Sequence, residues 1–167
     1  DEMEKRGIKI ILGCHHEKIE KTDAGLVSHL ESGLVETNDV VLFATGRGAK
    51  VDGLGLEKAG VKLNEKGAIQ VDDYSRTNVE NIWAVGDVTD RINLTPVAIR
   101  EGQAFAETEF YGRPTRFDHE MVASAVFSQP PIGSVGLSEA DARRQHGKID
   151  IYLARLKPVK YGFAGSD

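Results

Sequence analysis

The sequence predicts a chain of mixed α/β and α+β class. The apolar run Val40–Phe43 has no polar alternation, which indicates a strand covered on both faces, as in a parallel α/β sheet. Short segments separated by turn residues lie before this run and predict an antiparallel meander. After Pro96, apolar residues recur at helical spacing and predict a helix.

The composition narrows the class of protein. The chain has 167 residues, with 21 Lys and Arg against 26 Asp and Glu, and a formal net charge of −5. Because nucleic-acid binders need surplus positive charge, we do not expect a nucleic-acid partner. The 40% hydrophobic and 28% charged residues are typical of a globular protein. No apolar run approaches the roughly 18 residues that cross a bilayer, so we expect no membrane partner and a cytoplasmic location.

The chain has a single cysteine, Cys14, which excludes an intrachain disulfide and a CxxC redox pair. Cys14 and His16 share one face of an extended segment, but two ligands do not close a metal site. We therefore predict no metal, and any redox centre must come from outside this chain.

The first elements are a helical turn at Asp1–Arg6, ended by Gly7, and a following strand at Ile8–Leu12. The meander comes next and feeds a buried strand at Asp39–Ala44. The segments of the meander are Glu17–Glu20, Gly25–Leu30 and Leu34-Val35.

A change to glycine- and charge-rich sequence predicts a domain boundary near residue 50. Strands are then predicted near Ala68–Val71 and at Ile82–Val85. A helix follows at Pro96–Phe110, with Thr95 as its N-cap and Pro96 at its first position. We expect its apolar stripe to consist of Ala98, Gly102, Phe105 and Ala106.

A second boundary is predicted around Gly112–Asp118, which contains a proline. Beyond it, Ser124–Phe127 is typical of a strand and Ser138 of a helix N-cap. A last strand is predicted at Ile149–Leu156.

Two predicted strands end in a glycine followed by a charged residue, Gly46-Arg47 and Gly86-Asp87. Ligands of α/β proteins lie beyond the carboxyl ends of strands, where glycine lets the backbone come close. Gly-Asp alone is also common in plain turns. Next to a helix N-terminus, however, its carboxylate can accept bonds from sugar-like hydroxyls while the helix offers free N–H groups. The pair suits a ligand with a polyol and an electron-rich ring.

Several motifs in register resemble those of the pyridine-nucleotide disulfide oxidoreductases, and the resemblance runs over essentially the whole chain. The motifs are Ala44-Thr45-Gly46-Arg47, Asn81-Ile82-Trp83-Ala84-Val85-Gly86-Asp87-Val88, Asn93-Leu94-Thr95-Pro96-Val97-Ala98, Glu101-Gly102 and Phe127-Ser128-Gln129-Pro130-Pro131-Ile132-Gly133-Ser134-Val135-Gly136-Leu137.

The resemblance implies three pieces. Residues 1–50 are expected to end a Rossmann-like NADPH-binding domain, 51–118 to form a central segment that completes the FAD site, and 119–167 to begin an α+β dimerisation domain. It also implies FAD and NADPH as cofactors, and a homodimer for the parent protein.

By the family pattern, Asp87 binds a ribityl hydroxyl of FAD, and the Thr95 N–H faces the N1/C2=O edge of the flavin. Gly46 approaches NADPH, while Asn93 and Ala125 lie near the nicotinamide. The whole set of candidate cofactor-binding residues is Gly46, Arg47, Gly86, Asp87, Asn93, Leu94, Thr95 and Ala125.

The reaction implied by the resemblance passes electrons from NADPH through FAD and a cysteine pair to glutathione disulfide. The chain contains no CxxxxC pair and no GxGxxG, so we assign it no catalytic residue and expect an interior, inactive fragment. The alternatives are a family member acting on trypanothione or dihydrolipoamide substrates, or a non-catalytic module on the same scaffold. Leu94–Ala98 favours glutathione or trypanothione over dihydrolipoamide.

Overall fold

The computed structural model describes residues 2–156 and 159–164. The chain forms two compact units, Asp1–Ser134 and Val135–Asp167. Asp1, with which the expected first helical turn begins, lies outside the described residues, as does the end of the expected dimerisation segment, 165–167. Helices and strands both occur, which confirms the mixed fold class. In the described part of the chain, no helix has the length and apolar character needed to span a membrane.

The N-terminal helical turn is confirmed as α1, Glu2–Lys5, and Gly7 follows it in the left-handed conformation at φ 82°. The expected strand at Ile8–Leu12 is wrong. That segment makes no strand ladder, and Leu12 is 86% exposed.

The antiparallel meander is confirmed as β1 (His16–Thr22), β2 (Gly25–Leu30) and β3 (Val35–Asn38), in the order β1-β2-β3. Its first turn needs a glycine, because Gly25 has φ 124° and a Cβ there would lie 2.9 Å from the Asn38 carbonyl oxygen. The central strand β2 buries Ser28 and Leu30.

Four segments that were predicted as strands from their apolar runs form no β-ladder within the described residues. Asp39–Ala44, expected to be covered on both faces, pairs with no described strand, and Leu42 is 84% exposed. Apolar runs report side chains that favour burial, whereas a strand needs a neighbouring backbone to bond its N–H and C=O groups. No such neighbour meets Asp39–Ala44 within the described residues. The other three are Ala68–Val71, Ile82–Val85 and Ile149–Leu156; of these, the first two make one isolated bridge each, Leu63–Ile69 and Arg76–Trp83.

A small apolar core nevertheless gathers part of this sequence. Val61, Ile69 and Ala84 are buried together, close to the short helix α2, Leu56–Ala59. The Asn78 side chain closes the edge of this core: its Oδ1 accepts the Lys62 N–H at 2.8 Å and its Nδ2 donates to the Gly60 carbonyl at 2.8 Å.

The chain then forms a 3-10 helix at Gly86–Thr89 and the long helix α3 at Thr95–Phe110. The predicted helix is confirmed, but Leu94 is its N-cap and Thr95 its first residue, so the expected Thr95 cap is wrong. No side chain caps α3, because its N-cap, Leu94, has no side-chain hydrogen-bond acceptor.

The buried stripe of α3 differs from the expected one by about one residue. Its buried residues are Val97, Glu101 and Ala104, whereas the predicted stripe is only partly buried. The stripe therefore carries a carboxylate at its centre.

The first unit ends with a two-stranded antiparallel sheet of β4 (Ser124–Val126) and β5 (Ile132–Ser134). β4 confirms the predicted strand there, one residue shorter. The second unit contains α4 (Glu139–His146) and α5 (Val159–Ala164). Ser138 caps α4 as predicted, since its Oγ accepts the Asp141 N–H at 3.2 Å.

Replacing Gly86 with Ala is expected to destabilise the chain by about 1–3 kcal/mol. Gly86 has φ 74°, and a Cβ there would lie 3.1 Å from the Ala98 Cβ. Gly112→Ala is the control, because Gly112 has φ 63° but no atom within 4 Å of the added Cβ. Urea unfolding, followed by the fluorescence of the single tryptophan, measures both losses. Equal losses in the two variants would show that the contact with Ala98 contributes nothing.

Candidate cofactor-binding site

The structure brings Asp87 to the first half of α3. The 3-10 helix that carries Asp87 packs against α3, and Gly86 approaches Ala98 so closely that only a hydrogen fits in the position of its side chain. Gly86 is buried, while the Asp87 side chain remains 51% exposed. The close packing thus fixes the backbone and leaves the carboxylate free to meet a ligand.

The start of α3 supplies the second polar group. The Val97 and Ala98 N–H groups both donate to the Leu94 carbonyl, at 3.0 and 3.1 Å, and Pro96 has no N–H. Among the described residues, the N–H of the exposed Thr95 has no hydrogen-bond acceptor. One unpaired donor therefore stands at the positive end of a 16-residue helix.

The two pairs of a glycine and a charged residue noted in the sequence, Gly46-Arg47 and Gly86-Asp87, also lie next to each other. Arg47 Nη1 lies 4.0 Å from Asp87 Oδ2, and Gly46, with φ 104°, sets the turn before Arg47. Because the Arg47 side chain is 82% exposed, this ion pair adds little to stability. It does place a cation beside the carboxylate at the end of the Asp39–Ala44 segment.

Asn93 lies in the loop before α3 and is exposed. Its Nδ2 donates to Asp90 Oδ1 at 3.0 Å, and Asp90 also lies 3.6 Å from Lys66 Nζ. Asn93 thus shapes the loop between Asp87 and Thr95, and its proximity to a nicotinamide stays a prediction.

Ala125 lies apart from these groups. It is an exposed residue of β4 and pairs with Gly133 of β5, and within the described elements β4 contacts β5 alone. The structure does not bring it to Asp87, so its proximity to the nicotinamide also stays a prediction.

Sequence reasoning missed the most buried charge of this region as a functional residue. The Glu101 side chain is 2% exposed, and its Oε2 accepts the Gly86 N–H at 2.6 Å. Its Oε1 lies 2.9 Å from Arg91 Nη2 and 2.7 Å from His119 Nε2. The sequence feature that could have revealed Glu101 is its position, four residues after Val97 and three before Ala104 on the buried side of α3.

The two side-chain partners of Glu101 are themselves held in place. Arg91 Nη2 also donates to Ser75 Oγ at 3.1 Å, and the His119 ring packs edge-on against Phe117 with 4.8 Å between ring centroids. We call Glu101, Gly86, Arg91 and His119 the Glu101 network.

No group of three or more His, Cys, Asp or Glu side chains in the described ranges is arranged to hold a metal ion. The polar groups at this surface are an acceptor carboxylate at Asp87, a donor N–H at Thr95 and a neighbouring cation at Arg47.

Comparisons with known proteins place the chain in a family. The sequence profile described as "Pyridine nucleotide-disulphide oxidoreductase" matches residues 1–102, and the profile of the dimerisation domain of the same proteins matches residues 122–167. The chain is 47% identical over 167 residues to the glutathione reductase of Burkholderia cepacia, covering 100% of this chain and 37% of that protein. It is 47% identical over 161 residues to the trypanothione reductase of Trypanosoma congolense, covering 96% and 33%.

Solved structures give the same result. The HOCl-induced flavoprotein disulfide reductase RclA of Escherichia coli superposes with a TM-score of 0.78 at 32% identity, over 87% of this chain and 33% of that one. The chain thus spans about a third of the length of these relatives. On the match of residues 1–102 and the identity along the whole sequence, the chain belongs to the pyridine nucleotide-disulphide oxidoreductase family.

Proposed function

We propose that the complete protein carrying this chain is an FAD- and NADPH-dependent reductase of glutathione disulfide. The family uses FAD and a pyridine nucleotide. The observation that carries the proposal is the joint placement of the Asp87 carboxylate and the unpaired Thr95 N–H around the packed contact of the 3-10 helix with α3. The 47% identity to a glutathione reductase supports the choice of substrate.

The residues present fit FAD. A half-exposed carboxylate suits the hydroxyls of a ribityl chain, because an ionised carboxylate only accepts hydrogen bonds and each hydroxyl has one to donate. The orphan Thr95 N–H at a helix N-terminus suits the carbonyl edge of a flavin, which gathers negative charge on reduction. Nothing in either residue calls for a different kind of ligand.

When bound, FAD supplies two-electron transfer between the pyridine nucleotide and a disulfide. The residues of this chain bind and tune it: Asp87 holds the ribityl chain, and the Thr95 N–H with the dipole of α3 stabilises the electron-rich edge of the ring. Gly46 leaves room for the approach of NADPH, since its exposed backbone carries no side chain.

We assign no catalytic residue to these 167 residues. Cys14 is the only thiol, and it lies two residues before β1. In the proposed enzyme, the redox cysteines and the acid-base histidine come from other parts of the homodimer, to which the segment from residue 119 contributes. The match to a dimerisation profile over residues 122–167 supports that contribution. We also propose that the protein acts in the cytoplasm.

Trypanothione reductase is the second candidate, because a relative of that name has the same 47% identity. A comparison of turnover with the two disulfide substrates tests both candidate functions. We expect the complete protein to consume NADPH with glutathione disulfide at a kcat/KM at least tenfold above that with trypanothione disulfide. The reverse ratio would assign it to the second candidate, and no turnover of either disulfide would overturn the proposal.

Asp87→Leu in the complete protein is expected to weaken FAD binding by about 10- to 100-fold, because a hydrogen bond to a charged group contributes roughly 1.5–3 kcal/mol. Titration of the apoprotein with FAD, followed by flavin fluorescence, measures the change. Asp52→Leu is the matched control, since the Asp52 side chain is 80% exposed and pairs only with Lys50 among the described contacts. An unchanged Kd in the Asp87 variant would remove Asp87 from the site.

Thr95→Pro removes the unpaired N–H and leaves the helix intact, because proline is tolerated in the first turn and Leu94 already has the extended φ −130° and ψ 135° that proline requires before it. The two-electron potential of the flavin is expected to fall by about 30–60 mV, the equivalent of one charge-assisted hydrogen bond. Thr95→Ser keeps the N–H and serves as the control. Identical potentials in the two variants would show that the N–H does not contact the flavin.

A further inference from the structure

We propose that Glu101 is a positioning residue that holds the Asp87 carboxylate in place for the ribityl chain of the flavin. The inference rests on the proposed function, and it concerns a residue that touches neither cofactor nor substrate. Glu101 acts through the peptide that joins Val85 to Gly86, one residue before Asp87.

The bond from the Gly86 N–H to Glu101 Oε2, at 2.6 Å, sets where the 3-10 helix begins. The rest of that helix is closed by short bonds of its own: Thr89 Oγ1 donates to the Gly86 carbonyl at 2.8 Å, and the Asp90 N–H donates to the Asp87 carbonyl at 3.1 Å. Because these bonds link Gly86 to Thr89 and Asp87 to Asp90, a shift of Gly86 moves Asp87 with it.

Glu101 is itself held by contacts on both of its carboxylate oxygens. Its side chain is 2% exposed, and a buried carboxylate is stable only when it is paired and hydrogen-bonded. Arg91 and His119 supply that pairing at Oε1, while Gly86 takes Oε2. A fixed charge on the rigid helix α3 thus serves as the anchor for the loop that carries Asp87.

The arrangement requires a carboxylate rather than an amide. Three donors converge on the two oxygens of Glu101, namely a backbone N–H, a guanidinium N–H and an imidazole N–H. A glutamine has one oxygen, so its NH₂ group would face at least one of these donors and push it away. Glu101→Gln keeps the size of the side chain but no longer offers an acceptor oxygen to each of the three donors.

A purely structural role for Glu101 would lower stability without acting on Asp87. The two roles differ in coupling, because residues that act through each other give non-additive effects and independent residues give additive ones. A double-mutant cycle of Glu101→Gln and Asp87→Asn on FAD affinity therefore separates them.

The cycle uses the complete protein, stripped of FAD and titrated with FAD by flavin fluorescence. We expect Glu101→Gln to weaken binding about tenfold, and the double variant to bind within about twofold of Asp87→Asn alone. Arg100→Gln is the control for loss of a charge on the exposed side of α3, where Arg100 bonds only Gln103 at 3.2 Å among the described residues, and its Kd is expected to stay within about twofold of wild type. Multiplied losses in the double variant, or an unchanged Kd in Glu101→Gln, would overturn the positioning role.

If Glu101→Gln does not yield folded protein, Glu101→Asp enters the same cycle. It keeps the charge but is one methylene shorter, so it does not reach the Gly86 N–H while holding Arg91 and His119, and the same non-additivity is expected. Failure of the proposed function has a different outcome: the wild-type apoprotein would not bind FAD, or Asp87→Asn would bind it as tightly as wild type. If Asp87→Asn weakens FAD binding while the Glu101 variant binds FAD as tightly as wild type, only the positioning role is overturned.

Discussion

A single buried carboxylate, that of Glu101, joins parts of the first unit that lie far apart in the sequence. It binds the backbone at Gly86, the guanidinium of Arg91 and the ring of His119, which come from the 3-10 helix, the following loop and the segment before β4. Removing Arg91 would take the guanidinium away from a carboxylate that is only 2% exposed, and leaving a buried charge without its ionic partner costs several kcal/mol. The network therefore stabilises the arrangement of the loop seen in the structure.

This constraint matters because the loop between the 3-10 helix and α3 has few apolar anchors. Asp90 and Asn93 bond each other, and the large apolar residues of this loop, Ile92 and Leu94, are only partly buried. Apolar packing alone does not fix such a polar segment, since apolar burial is non-directional. Directional bonds to Glu101 do, and they leave the Asp87 carboxylate and the Thr95 N–H exposed.

Local signals in the sequence predicted α1, α3, α4 and the meander, but not α2, the 3-10 helix or α5. Pro96 and the apolar spacing after it predicted α3, Ser138 predicted α4, and the turn residues around Gly25 predicted the β1–β2 hairpin, because each of these elements satisfies its backbone within a few residues. Asp39–Ala44 was predicted as a strand and is none, because its hydrogen-bond partners would have to come from another segment, and no neighbouring backbone meets it within the described residues. The N-cap of α3 is Leu94 rather than Thr95 because the helical backbone begins one residue earlier than predicted, and the spacing of apolar residues does not reveal where it begins.

The candidate site, too, could be predicted only where a local motif indicated it. Gly86-Asp87 and Thr95 stood out because a glycine-acid pair before a helix N-terminus has a definite chemistry, and the structure places their two elements in contact. Glu101 was noted only as part of the Glu101-Gly102 motif and was given no role, because a glutamate in a helix is usually on the solvent face. His119 gave no signal either, since its partner lies 18 residues away and only the folded chain brings them together.

The order in which the chain is synthesised suits this division between local and distant contacts. The meander needs only residues 16–38, and its strands are joined by short turns, so it can assemble within microseconds once they are available. The Glu101 network waits for His119, the last of its members to leave the ribosome. Until then the carboxylate has only part of its pairing, so the loop bearing Asp87 takes its final arrangement later than the meander.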